Sequence, residues 1–167
     1  MGTQQILLIV LSVIIVGAAI AVGIQMFNNQ SYSASKSAIA ADAQSYASQI
    51  VQYYKTPLSQ GGAGGTLATG DEAKIADFIG WGSTEAGAAN NMKNDNGEFT
   101  IIVTGDTQVV VLGLSKEDNG KTKPAIETTI TLPQGEIKGT PKDVDSATTI
   151  TTLAATYVPE EGDEGDE

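Results

Sequence analysis

The chain has 167 residues, which is enough for one globular domain with an appendage but too few for two large cores. It has nine lysines and 20 acidic residues, no arginine, histidine or cysteine, and a formal net charge of -11. These absences exclude imidazole and thiol catalysis, zinc-thiolate sites and disulfides, and scattered lysines do not form a nucleic-acid surface. We therefore expect no cofactor, no metal site, no nucleic-acid partner and no enzymatic activity.

The N-terminal segment 1–27 contains no charged side chain, and Ser12 is the only polar residue between Ile6 and Ile24. A helix over these 19 residues covers about 28 Å, close to the roughly 30 Å of a bilayer's hydrocarbon core. A secretory signal has a basic start and a shorter apolar core. The pattern therefore predicts a membrane-spanning helix. Whether Met1 follows a removed basic leader or is the genetic start stays open.

The helical pattern continues beyond the apolar segment, because no proline or glycine occurs between Gln30 and Lys55. Apolar residues recur there every three or four positions, which indicates one buried helical face. The predicted face consists of Ile39, Ala43, Tyr46, Ile50 and Tyr53, and Tyr54 is the alternative to Tyr53. We predict one helix over about residues 2–55, with 28–56 as an amphipathic half packed on a head. This helix would be about 80 Å long, so half of it must project from the head.

The remaining chain predicts a small α+β head over residues 57–158. Pro57 ends the long helix, Asp71–Ile79 predicts a short helix, and Trp81 is expected to anchor the core. The predicted strands of an antiparallel meander are Phe99–Val103, Gln108–Leu114, Ala125–Leu132 and Gly135–Thr140, with Ala147–Val158 as a further strand or extended segment. The tail 159–167 is glycine-rich and acidic, and we expect it to be disordered.

This architecture resembles a type IV pilin, and the residues that carry the resemblance are Met1 to about Phe27. The resemblance implies that a prepilin peptidase removes a basic leader, that the new first residue is N-methylated, and that assembly machinery packs the apolar half-helices into a filament core. The family usually has a glutamate at the fifth position, where it pairs with a neighbour's terminal amine. This chain has Gln5, which retains hydrogen bonding without the charge, so Met1 and Gln5 form the expected N-terminal assembly contact.

The predicted packing surface between subunits lies on the apolar half. Small residues four apart, as in Gly17 and Ala21 or Ala19 and Gly23, allow close approach of neighbouring helices. The predicted packing core comprises Ile6, Leu7, Leu8, Val10, Leu11, Ile14, Ile15, Gly17, Ala21 and Gly23. Asn29 begins a glycosylation sequon, and Asn94–Glu98 reads as a turn rather than a calcium loop, because no glutamate closes the loop at the required spacing.

The function that this pattern favours is that of a structural subunit, which polymerises through its apolar helix into an extracellular surface filament. The protein would be an inner-membrane intermediate before assembly and a homopolymer of identical subunits afterwards. Cell adhesion is one of several roles such a filament serves. The alternative is a single-pass membrane-anchored surface protein with a ligand-binding β-rich head.

Overall fold

The computed structural model describes residues 2–81 and 91–157, so Met1 and the tail 159–167 lie outside the described residues. The predicted α+β architecture is confirmed: a long N-terminal helix is followed by a five-stranded antiparallel sheet and short helices. The elements in chain order are α1 (Thr3–Lys55), a short 3-10 helix (Leu58–Gln60), α2 (Glu72–Phe78), β1 (Asn91–Lys93), β2 (Gly97–Thr104), β3 (Gln108–Ser115), β4 (Thr122–Thr131), β5 (Glu136–Asp145) and α3 (Ile150–Thr156).

Helix α1 is a single rod of 53 residues, which corresponds to a length of about 80 Å. It contains no proline, and Gly17 and Gly23 are its only glycines. The helix ends where Thr56 leaves the helical region before Pro57. The Thr56 N–H still donates to the carbonyl oxygens of the last turn, which satisfies groups that a helix end leaves unpaired.

The sheet is a meander in which each strand pairs with the next one along the chain, in the order β1-β2-β3-β4-β5. Successive side chains point to opposite faces of a strand, so the sheet presents two distinct faces. Helix α1 packs on the face that we call the inner face, and helix α3 packs on the opposite, outer face. Both faces contribute to the core of the head.

The inner-face core is the larger of the two apolar clusters. Within it the Tyr46 ring makes T-shaped contacts with two buried rings, with centroids 5.1 Å from Trp81 and 5.2 Å from Phe99. Trp81 is 1 % exposed, as expected for a core anchor. The outer-face cluster is smaller and consists of Val110, Leu112, Leu114, Ala125 and Ile150.

The extended segment predicted for residues 147–158 is wrong, because Ile150–Thr156 form helix α3. The Thr149 hydroxyl oxygen caps this helix by accepting from the Thr152 N–H at 3.3 Å. Ile150 and Leu153 pack together against the outer face. Their burial outweighs the strand preference of the threonines around them.

The strand predicted for Gly135–Thr140 is too short, since β5 runs from Glu136 to Asp145. Residues such as Pro141 are depleted in strands, but a proline is tolerated on an edge strand where one side of the backbone lacks a partner. Pairing with β4 continues over all ten residues of β5 and sets its length. Strand β1 has no counterpart in the sequence prediction.

Candidate functional site

The N-terminal half of α1 projects from the head, and its apolar side chains make no contact with the described residues of the head. Thirteen isoleucine, leucine and valine side chains between Ile6 and Ile24 are each 50–69 % exposed. The most apolar 18-residue window of α1 has a mean hydropathy of 3.0 and none of it is buried. Among the described residues, α1 is the one helix long and apolar enough to cross a membrane.

The residues predicted to form the packing core all lie on this projecting half. Ile6, Leu7, Val10, Leu11 and Ile14 form a continuous apolar strip along one side of the helix. The other large members are equally exposed on the remaining sides, so the half-helix has no polar face. A helix that is apolar all round requires lipid or other helices around it.

The small residues of the predicted packing core leave open space along α1. Apart from the adjacent residues and the nearby backbone of α1 itself, no atom lies within 4 Å of where a Cβ would stand on Gly17 or Gly23. Gly17 and Ala21 are four residues apart and therefore lie on the same face of the helix. This face can accept the backbone of a neighbouring helix at close distance.

The single polar side chain of the apolar stretch is satisfied within the helix, a feature that the sequence prediction missed. The Ser12 hydroxyl donates to the Ile9 carbonyl oxygen at 2.8 Å. Serine and threonine commonly bond back to the preceding helical turn in this way. Burial of this half-helix in lipid or among other helices therefore leaves no unpaired hydroxyl proton at Ser12.

The predicted N-terminal contact is only partly visible. Gln5 is exposed near the start of α1, and its backbone N–H donates to the Gly2 carbonyl oxygen at 2.9 Å. Its proposed partner, Met1, is outside the described residues. Asn29, the possible glycosylation site, is exposed on α1 near the junction of the projecting and docked halves.

The second half of α1 packs on the inner face of the sheet. Of the predicted docking face, Ile39, Ala43, Ile50 and Tyr53 are at most 4 % exposed, while Tyr46 is partly buried. Ala47 is also fully buried, and the sequence prediction did not include it. Its spacing of four residues from Ala43 and three from Ile50 is the signal that identifies it.

A polar cluster fixes the first turns of the docked half to the edge strand β5. The Asp143 carboxylate accepts from Lys36 Nζ and from the Tyr32 hydroxyl, both at 2.9 Å. The Tyr32 hydroxyl also lies 3.3 Å from the Thr122 hydroxyl oxygen. The hydrogen bond from Lys36, and then that from Tyr32, lowers the pKa of Asp143, while burial raises the pKa of Tyr32. The cluster therefore holds Asp143 ionised and orients the rod relative to the sheet.

A second polar cluster ties α1 to the turn between β1 and β2. The Asp42 carboxylate accepts from the side-chain amides of Asn94 at 2.8 Å and Asn96 at 2.7 Å. The Asn94 side-chain oxygen accepts the N–H groups of Asn96 and Gly97, which makes this segment an Asx-type turn. In the described ranges no group of three or more potential ligands is placed to hold a metal ion.

An open cleft of about 360 Å³ lies between α1 and the inner side of β4 and β5. Its walls combine apolar groups, including Ile126 and Ile137, with polar groups, including Gln44 and Thr128. Lys36 lines the same cleft, but its ammonium group is already paired with Asp143. The volume of the cleft lies near the lower end of the range of small-molecule pockets.

The described part of the chain thus presents a large apolar surface on a rod, and two polar clusters and an apolar face hold this rod to the head. No family model, curated protein or solved structure matches this chain.

Proposed function

We propose that this chain is a structural, pilin-like subunit that polymerises through the projecting half of α1 into an extracellular filament. The observation that carries the proposal is the continuity of α1, whose apolar half and docked half form one uninterrupted helix. The projecting half forms the filament core, and the acidic head faces solvent. Before assembly the same half lies in a membrane.

Apolar burial supplies the energetic argument. Fully burying one large aliphatic side chain stabilises by about 1.5–3 kcal/mol, and each of the thirteen isoleucine, leucine and valine residues between Ile6 and Ile24 still has at least half of its surface exposed. Association costs about 4–15 kcal/mol in lost freedom of motion. The apolar term exceeds that cost, so a free monomer with this half in water is strongly disfavoured. The half-helix must be surrounded by lipid or by other helices.

The docked half of α1 favours a filament subunit over a simple anchor. A membrane anchor needs only a span and a linker, and a flexible linker would serve. Here the helix continues without a break from the apolar half into the head, where Ile39 and Ile50 are buried and Asp42 and Asp143 add polar contacts. This rigid connection transmits the position of the filament core to the outer shell.

The processing and assembly partners follow from the resemblance to type IV pilins. On this proposal, a prepilin peptidase exposes Met1, and the pilus assembly machinery extracts the subunit from the membrane. The Gln5 side-chain oxygen then accepts a hydrogen bond from the terminal ammonium group of a neighbouring subunit. Mass spectrometry of the native N-terminus tests this step, since a methylated Met1 supports it and an unprocessed leader contradicts it.

The second candidate function is a membrane-anchored surface protein whose head binds a ligand. The cleft of about 360 Å³ between α1 and strands β4 and β5 is the observation that favours it. The two candidates differ in the state of the purified protein. A filament subunit is recovered in sheared surface filaments, whereas an anchored receptor stays a detergent-soluble monomer.

Electron microscopy of sheared surface material from cells that express Ile14→Lys tests the filament proposal. Ile14 is 62 % exposed at the middle of the apolar half. A lysine at the centre of an apolar span costs about 2.5–3.5 kcal/mol in a bilayer, and an unpaired charge in a core of packed apolar helices is disfavoured for the same reason. We expect filaments to disappear while the head remains folded.

The matched control is Ile14→Leu, which keeps the side-chain volume and apolar character at the same position. We expect this variant to assemble normally. Normal filaments from Ile14→Lys would contradict burial of this half in the filament core. Loss of filaments from both variants would show that position 14 is sensitive to shape and not to charge.

A further inference from the structure

The outer face of the sheet is covered unevenly in the described part of the chain. Helix α3 packs mainly on β2 and β3, where Ile150 joins Val110 and Leu112 in a buried cluster. The outer sides of β4 and β5 continue beyond this cluster. The C-terminal end of α3 lies where this cluster meets the outer side of β4 and β5, and there Thr156 and Lys142 line the same cavity of about 230 Å³.

Three lysines lie on this outer side of β4 and β5. Alternation along β4 places Lys123 on the same face as buried Ala125, and alternation along β5 places Lys138 and Lys142 on the same face as Val144. The strand register sets Lys142 opposite Ala125 and Lys123 opposite Val144. At about 3.3 Å per residue, the three lysines form a row roughly 20 Å long.

The charges of this row are incompletely balanced by the described residues. Lys142 forms an ion pair with Glu127, and Glu136 is the other carboxylate on the same face. Lys123 and Lys138 have no ion-pair partner in the ranges 2–81 and 91–157. This is a local excess of positive charge in a protein whose formal net charge is -11.

The C-terminal end of the sequence supplies the complementary charge. Six of the last eight residues, Glu160 to Glu167, are acidic. The described chain ends at Tyr157, which lines the same cavity as Lys142. Ten further residues, at up to about 3.3 Å each, reach about 33 Å from that point. The acidic segment is therefore long enough to follow the whole lysine row.

We propose that the acidic tail 160–167 binds along the outer side of β4 and β5 of its own chain, with its carboxylates facing Lys123, Lys138 and Lys142. The short tether gives the tail an effective concentration in the millimolar range at the lysine row, which favours its own chain over a second copy. Each exposed ion pair contributes little, so several must form together. The contact is independent of filament assembly.

Lysine reactivity in the full-length chain, held in neutral detergent micelles, tests the contact. The comparison is between the native chain and a variant whose six tail acids, Glu160, Glu161, Asp163, Glu164, Asp166 and Glu167, are replaced by glutamine or asparagine. We expect acetylation of Lys123 and Lys138 by an N-hydroxysuccinimide ester to become about two- to five-fold faster in the variant, since the tail no longer shields them.

Lys55 is the matched control for this experiment. It is exposed, has no ion-pair partner among the described residues, and lies at the end of α1 on the other side of the sheet. We expect its acetylation rate to stay unchanged. An equal change at Lys55, or no change at Lys123 and Lys138, would overturn the proposed contact.

Carbodiimide cross-linking of a mixture of ¹⁴N- and ¹⁵N-labelled chains shows whether the tail that contacts the lysine row belongs to the same chain or to a second copy. This reagent joins a lysine to a contacting carboxylate without a spacer, so we expect tail-to-lysine peptides that are uniformly light or uniformly heavy. They should disappear at about 1 M salt, where the screening length is about 3 Å. Mixed-isotope peptides would assign the row to a second copy and overturn binding within one chain, as would the absence of any tail cross-link.

Discussion

Gly113 shows how closely the inner face of the sheet is packed at a single residue. A Cβ on this glycine would stand 2.7 Å from a Phe99 ring carbon and 2.9 Å from an Ile126 methyl group. Both neighbours are buried, and the Phe99 ring is also held by Tyr46. We expect Gly113→Ala to lower the free energy of unfolding of the head by about 1–3 kcal/mol, because overpacking forces these side chains to move. Chemical denaturation in detergent measures the change.

Gly139 provides the control for that substitution. It lies on the edge strand β5, and a Cβ there would meet its nearest neighbours at 3.7 and 3.8 Å, which is ordinary contact. Gly139→Ala should change the free energy of unfolding by less than about 0.5 kcal/mol. An equal loss in both variants would mean that close packing is not the reason Gly113 is needed.

Asp143 makes the junction between rod and head sensitive to acid. The hydrogen bond from Lys36 lowers the pKa of Asp143 below its ordinary value of 3.8. Its contribution is therefore fully present above that value and is lost as the pH falls through the lowered pKa. The side chain is 48 % exposed, so we expect Asp143→Asn to cost at most about 1 kcal/mol at pH 6. This cost should shrink as the pH falls below 3.8, the ordinary pKa of the carboxyl group.

Thermal unfolding of the native chain and the Asp143→Asn variant across this pH range measures that difference. Lys36→Gln is the companion variant, since it removes the principal cause of the lowered pKa while leaving the carboxylate in place. Lys36→Gln should lose most of the acid-dependent stability that Asp143→Asn loses, but not all of it, because the hydrogen bond from Tyr32 still lowers the pKa of Asp143. A difference between native and Asp143→Asn chains that is as large at pH 2 as at pH 6 would contradict the role given to the ionised carboxylate.

At the scale of elements, the sequence predicts structure where local pattern and tertiary packing agree. Helix α1 has a long stretch without proline or glycine and a regular apolar spacing around Ile39 and Ile50. The sequence therefore predicts both its length and the face that packs on the sheet. Strands β2 and β3 have strong β-branched runs. Helix α3 could not be predicted, because the threonines around Ile150 favour strands and only burial against the outer face decides the outcome.

The same contrast separates the parts of the candidate site. The projecting apolar surface is visible in composition alone, since residues 1–27 contain no charged side chain. The cluster of Tyr32, Lys36 and Asp143 joins residues that are more than 100 positions apart. No local sequence pattern predicts this contact, because it depends on how far β5 extends along β4. Predicting it would require knowledge of the strand register.

We expect the docked half of α1 and the head to fold without the projecting half. The buried contacts of the head begin at Ile39, and its first polar contact is that of Tyr32. We expect a chain that starts at Asn28 to be monomeric and soluble without detergent, because the exposed apolar side chains have been removed. Size-exclusion chromatography measures the oligomeric state, and thermal unfolding measures the stability. We expect the melting temperature of the shortened chain to lie within a few degrees of that of the full chain in detergent. Aggregation of the shortened chain would show that the head depends on residues 2–27.

At the scale of the whole molecule, the open space beside Gly17 has meaning only in the presence of a neighbour. Nothing in the head lies near it, so a larger side chain at this position leaves the fold of one subunit unchanged. On the proposed filament, Gly17 and Ala21 face another helix at close range, and Gly17→Leu pushes the two backbones apart. We expect fewer filaments, or filaments with a changed helical rise, in electron micrographs.

Val16→Leu separates a specific close contact from general packing of the core. Val16 is 57 % exposed on the adjacent side of α1, and the substitution adds one methylene group to a residue that is already large. A filament core built on close approach at Gly17 should tolerate Val16→Leu and fail with Gly17→Leu, while both variants keep the native melting temperature of the head. If both variants assemble with the native helical rise, neighbouring helices do not meet at Gly17 and Ala21, and the core must be held by the large aliphatic side chains alone.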